Sequence, residues 1–141
     1  PMDTLSAMLS ASDLSVVCLE RGHTGISVPS KAYGVLASGT PILGILDPAG
    51  EIGRMIAETG CGVVVEPDGE SIAAVIEELA GDAARRRSMA EAGRRAFLDR
   101  YTLSKAAASY DAVLTAMTAP TRPAVASRSP RSIDPHMTNA S

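Results

Sequence analysis

The sequence predicts an α/β fold: a parallel sheet with helices on both faces, present only in part. Two observations carry this. Apolar runs of five or six residues alternate with stretches of helical periodicity, in the order helix, strand, helix, strand, helix, strand, and then three helices. The runs are continuously apolar, as strands covered on both faces are, and strands joined through helices imply right-handed crossovers into one parallel sheet. Only three strands are visible, which would leave one edge and part of one face uncovered, so the chain reads as half of a doubly wound domain.

Each element follows from its residues. Leu5, Met8 and Leu9 recur at helical spacing behind Asp3 and Thr4, predicting a helix from about Asp3 to Ser12. Leu14 to Leu19 is the first buried strand, and Glu20 to Pro29 (ERGHTGISVP) has no period and reads as a loop. Ser30 is placed to cap a helix through Ala32, Val35 and Leu36 to Ser38, closed by Gly39. Pro41 to Leu46 is the second strand. Ile52, Met55 and Ile56 mark a helix ended by Gly60, and Cys61 to Val65 is the third strand, stopped by Glu66 and Pro67. Asp68 caps an amphipathic helix carrying Ile72, Val75, Ile76 and Leu79. Gly81 and Asp82 separate it from a helix reaching about Arg100, in which Arg85, Arg86 and Arg87 read as a solvated face over Met89, Ala92, Ala96 and Phe97. Thr102 can cap the last helix, with Leu103, Ala107, Tyr110, Leu114 and Met117 along one side. From Ala119 the composition turns to Pro, Ser, Thr, Arg and Ala. Residues 1–118 are therefore expected to form the domain and 119–141 a disordered tail.

Composition narrows the function. The chain has 141 residues, the length of one domain, with 45% hydrophobic but only 3% aromatic residues. That favours aliphatic packing of helices on a sheet over a base-stacking platform, and a net charge of −3 provides no field for nucleic acid. Cys18 and Cys61 are too few for a disulfide framework or a zinc site. With no apolar stretch of membrane length and no signal-peptide pattern, the cytoplasm, including the face of the inner membrane, is the expected compartment. Pro1 ahead of Met2, at the start of a pattern that begins in mid-fold, leads us to expect a missing upstream part.

Ligands of open parallel sheets bind beyond the carboxyl ends of the strands. The loop from Glu20 to Lys31 leaves such an end and enters a helix amino terminus, where free N–H groups and the helix dipole favour an anion such as a diphosphate. Gly22 and Gly25 permit close approach, Thr24, Ser27 and Ser30 add hydroxyls, and Lys31 adds a positive charge. The plainer reading is that Ser30 is an ordinary cap and Lys31 a solvated charge. His23, the one histidine before the tail, could be catalytic but fits an exposed loop position better. Asp13 reads as a turn cap. Asp47 and Glu51 could touch a donor sugar, although capping explains them as well.

The run Gly25-Ile26-Ser27-Val28-Pro29-Ser30-Lys31-Ala32-Tyr33-Gly34-Val35-Leu36-Ala37-Ser38-Gly39-Thr40-Pro41 resembles the donor-site segment of family-4 glycosyltransferases of polysaccharide and O-antigen assembly. The Glu51-Ile52 helix, the Cys61–Val65 strand, the Pro67-Asp68 turn and the Arg100-Tyr101 ending continue the resemblance in order, over about Leu5 to Leu114. It implies the carboxy-terminal, Rossmann-like half of a two-domain GT-B fold, an enzyme of hexosyltransferase type that moves a glycosyl group from a nucleotide sugar, UDP- or GDP-linked, to a sugar or lipid-linked glycan acceptor. It places Ser27, Ser30 and Lys31 near the diphosphate, Thr24 and Gly25 near the transferred sugar, and Gly34 by the ribose. It calls for no cofactor and no metal, because a helix terminus and a nearby cation stabilise the departing diphosphate. Many members carry glutamate where this chain has Gly34, and an earlier paired glutamate is also absent near Ile26. The family's upstream basic pair and acceptor domain have no counterpart, so the chain is expected to be inactive alone. Two alternatives stay open: the donor subunit of a split transferase, and a non-catalytic α/β interaction module.

Overall fold

A computed structural model describes residues 2–20, 22 and 27–118, so the tail expected from Ala119 lies outside the described residues. The elements run α1 (Met2–Ser10), β1 (Ser15–Cys18), α2 (Lys31–Ser38), β2 (Ile42–Ile45), α3 (Glu51–Thr59), β3 (Gly62–Val65), α4 (Gly69–Gly81), α5 (Ala83–Ala96), a π-helical turn (Phe97–Tyr101) and α6 (Leu103–Thr118). The three strands form one parallel sheet in the order β1-β2-β3, with Val17 opposite Gly44 and Gly44 opposite Val64. The protein is thus α/β with helices flanking a small parallel sheet, a partial Rossmann-like arrangement.

Why the helices stop where they do is written locally. Gly39 and Gly60 both adopt the left-handed conformation, at φ 68° and 69°, and their N–H groups return to carbonyls of the last helical turn. Asp68 accepts the Ser71 N–H at 2.8 Å, and this backbone hydrogen bond holds its carboxyl below the usual aspartate value. Asp82 caps α5 in the same way through Arg85 N–H.

The core lies mainly on one face of the sheet. Val17 and Ile42 point to it, and α2 and α3 supply Ala32, Val35, Leu36, Ile52, Met55 and Ile56. On the other face the cover is uneven. Leu43 and Val65 are buried, whereas Val16 and Cys18 on the edge strand β1 are exposed. That matches the open edge and half-covered face expected of three strands.

Three expectations need correction. Ser30 does not cap α2: its backbone is already helical, at φ −56° and ψ −24°, and its side chain takes no capping bond. The first turn instead closes through Ala32 N–H to Pro29 O and Tyr33 N–H to Ser30 O. Arg86 is not solvated, because its guanidinium donates to the Leu79 and Ala80 carbonyls that end α4 and lies 3.7 Å from Asp13. The long helix does not continue regularly to Arg100 but passes into the π-helical turn. The apolar side of α6 lines nothing among the described residues, since Leu103, Tyr110 and Met117 are 87%, 74% and 78% exposed. None of the described helices is long and apolar enough to cross a membrane.

Candidate functional site

Because the sheet is parallel, the carboxyl ends of its strands share one rim, and β1 and β2 both deliver their following loops there. Between the loop leaving β1 and the amino end of α3 lies a cleft of about 340 Å³. Ser27, Val28 and Pro29 form one wall, Leu19 and Leu46 its apolar base, and Asp47 with the stretch from Ala49 to Arg54 the other wall.

The second wall is held by its own turn. Asp47 Oδ1 accepts the Ala49 N–H at 2.8 Å, and Gly50 N–H donates to the Asp47 carbonyl at 3.0 Å. The aspartate therefore holds the turn before α3 and does not cap the helix, contrary to the capping alternative. Gly50 starts α3 with no side-chain cap, so no side chain bonds the first N–H groups of the helix at the cleft wall. Arg54 donates to the Ala49 carbonyl at 2.6 Å, which places a guanidinium beside the same turn. An uncapped helix end with a neighbouring cation suits an anion.

A carboxylate stands beside this anion-friendly end. Glu51, exposed at the first position of α3, accepts a hydrogen bond from Tyr33 Oη at 2.7 Å. Tyr33 reaches it from α2 and rests on Tyr101 of the π-helical turn, with ring centroids 5.0 Å apart. Burial first, and then the hydrogen bond and charge of Glu51, push the Tyr33 phenol well above the ordinary tyrosine value. The sign follows: a raised folded-state value gives stability that is fully present below the ordinary tyrosine pKa of about 10 and is lost as pH rises beyond it. Urea unfolding between neutral and strongly alkaline pH should show that loss, and Tyr33→Phe should flatten part of it. Identical alkaline profiles for the two proteins would refute the coupling.

Of the residues singled out from the sequence, Ser27 lines the cleft. Ser30 and Lys31 are exposed at the start of α2, next to the Ser27–Pro29 wall but not in it. Gly34 lies further along α2 on the side of α1, where an added Cβ would sit 3.8 Å from Leu9 Cδ1. Thr24, Gly25 and His23 fall outside the described residues. Sequence reasoning missed Tyr33 and Arg54. The scarcity of aromatics was the available signal for the first, since two of only four aromatic residues meet here. No comparable signal marked Arg54. Among the described residues, no three His, Cys, Asp or Glu side chains come together as metal ligands.

No family model matches the chain. A curated relative does: probable glycosyltransferase WbjE of Pseudomonas aeruginosa is 43% identical over 72 residues, which are 50% of this chain but 18% of the relative. The chain thus spans less than a fifth of that protein's length. Over half of its own length, this α/β chain is related to a glycosyltransferase.

Proposed function

We propose that the chain is the donor-binding region of a glycosyltransferase and takes the diphosphate of a nucleotide sugar at the rim of its sheet. One observation carries the reading: the cleft at the carboxyl ends of β1 and β2, walled by Ser27 and by the uncapped start of α3 with Arg54 beside it. Similarity to a glycosyltransferase over half the chain supports it. In the donor complex the Ser27 and Ser30 hydroxyls, Lys31 and Arg54 contact the diphosphate, while Thr24 and Gly25 lie by the sugar. The nucleotide sugar is substrate rather than cofactor. As the glycosidic bond breaks, charge grows on the leaving diphosphate. The amino terminus of α3 with Arg54, and Lys31 next to the opposite wall, stabilise it more in the transition state than in the ground state.

An acceptor, a sugar or a lipid-linked glycan, would be held by a segment outside this chain, either an amino-terminal domain or a partner subunit. The 141-residue chain should then bind donor without transferring it.

Calorimetric titration with uridine and guanosine diphosphates tests this. Saturable binding of one of them is expected, weakened about tenfold by Lys31→Ala or Arg54→Ala, the size of one charge-assisted hydrogen bond. Ser30→Ala should weaken it less. Folded protein that binds neither diphosphate at millimolar concentration would sink the donor reading. It would favour a non-catalytic α/β module, which the glycine at position 34 already suits.

A further inference from the structure

We propose that Tyr33 is a positioning residue: it fixes Glu51 so that the second oxygen of that carboxylate accepts a hydroxyl of a glycosyl group bound in the cleft. The inference rests on the donor-binding reading and assigns the sugar side of that site.

The geometry divides the cleft chemically. Arg54 and the uncapped start of α3 suit negative charge, whereas Glu51 at the same wall repels it. An ionised carboxylate is an acceptor only, so what it takes is a neutral donor group, and a sugar offers hydroxyls in fixed directions. Tyr33 occupies one oxygen, Oε1, at 2.7 Å. Oε2 has no hydrogen-bond partner among the described residues.

An exposed glutamate in a first helical turn would ordinarily sample several rotamers, and holding it still at binding costs side-chain entropy. Here the anchor is itself held. Tyr33 is part-buried, and its ring lies against Tyr101 at an interplanar angle of 49°. Tyr101 ends the π-helical turn Phe97–Tyr101, whose extra residue per turn shifts the side chains that follow. The line from Tyr101 through Tyr33 to Glu51 thus joins three elements and ends on a carboxylate at the cleft wall. A clip serving only to tie α2 to α3 would need no opening beside the carboxylate, yet Glu51 lines the cleft.

The test uses the full 141-residue chain. Dissociation constants are measured for uridine and guanosine diphosphates and for their glucose, galactose, N-acetylglucosamine and mannose conjugates, giving the ratio of diphosphate to sugar-nucleotide dissociation constants. At least one conjugate should bind the wild type more tightly than its diphosphate. Tyr33→Phe and Glu51→Ala should each bring that ratio toward one, by up to about tenfold, as loss of a charge-assisted hydrogen bond does. Binding of the bare diphosphate should stay within about twofold, and the double variant should lose no more than either single one. A ratio that Tyr33→Phe leaves unchanged overturns the proposal. So does an equal loss for diphosphate and conjugate, which marks a structural role. Wild-type protein that binds diphosphate but gains nothing from any sugar overturns it while leaving the donor reading intact. Failure to bind any diphosphate removes the donor reading itself.

Discussion

Gly62→Ala should unfold this protein more readily than any other methyl-sized change in its sheet. A Cβ at position 62 would lie 2.0 Å from the Ile42 carbonyl oxygen and 2.8 Å from its carbon, and both are backbone atoms of the central strand. Side chains can turn away from an intruding methyl, but a ladder strand cannot. Gly62 is paired with Ile42, and the Ile42 N–H donates to the Cys61 carbonyl at 3.0 Å just beside the contact. Relief would therefore require β3 to move off β2, breaking ladder bonds and opening the core under α3. A loss of about 3–5 kcal/mol is expected, the upper range for a single substitution. Urea denaturation reads it directly. Gly69→Ala is the control, because a Cβ there meets nothing within 4 Å, and it should leave the midpoint almost unchanged. Equal midpoints for the two variants would show that the close approach at Gly62 does not exist in solution.

Leu36→Ala should follow closely, at about 2–5 kcal/mol. Leu36 is fully buried in the middle of α2 and belongs to the cluster that joins α2 to the sheet. Its Cδ2 faces Gly93 of α5, only 3.1 Å from where a Cβ on that glycine would stand. A cavity at Leu36 thus has a bare helix backbone on one side, with no side chain able to swing in and fill it, so the cost should fall in the upper part of the range. For a domain of this size about 3 kcal/mol corresponds to a melting temperature lower by roughly 10 °C. A drop of only a few degrees would mean that α5 closes onto α2, which Gly93 would then have permitted. Tyr33 sits one turn before Leu36 on the same helix and packs against the same cluster, so loosening that seat should also weaken whatever the cleft binds.

Much of the candidate site was legible in the sequence as a place and less so as a set of partners. The rim follows from the alternation of strands and helices, and Ser27, singled out from the loop, stands in the cleft wall. Asp47 was read as explained by helix capping at about Ala49, and it holds the preceding turn instead. Tyr33 was not foreseen, because its value depends on Glu51, eighteen positions away, and on Tyr101, far beyond the third strand. No periodic pattern encodes such a meeting. The cap assigned to Ser30 failed for a related reason. A serine before a helix signals a cap only when its backbone is extended, and here Pro29 O and Ser30 O already accept the first N–H groups in tight turns.

By itself the sequence determined the alternation of helices and strands, the parallel sheet, the left-handed stops at Gly39 and Gly60, and the Asp68 cap. The parallel sense of the sheet follows from the alternation of elements, and the other features depend on residues within a turn or two of one another, where periodicity and backbone preference act directly. Tertiary structure alone decided that Gly62 has no room for a methyl, that Arg86 closes α4, that α6 keeps its apolar side exposed, and that Tyr33 holds Glu51 at the cleft. Each of these depends on a distance between segments that the chain brings together only by folding, and local preference carries no record of that distance.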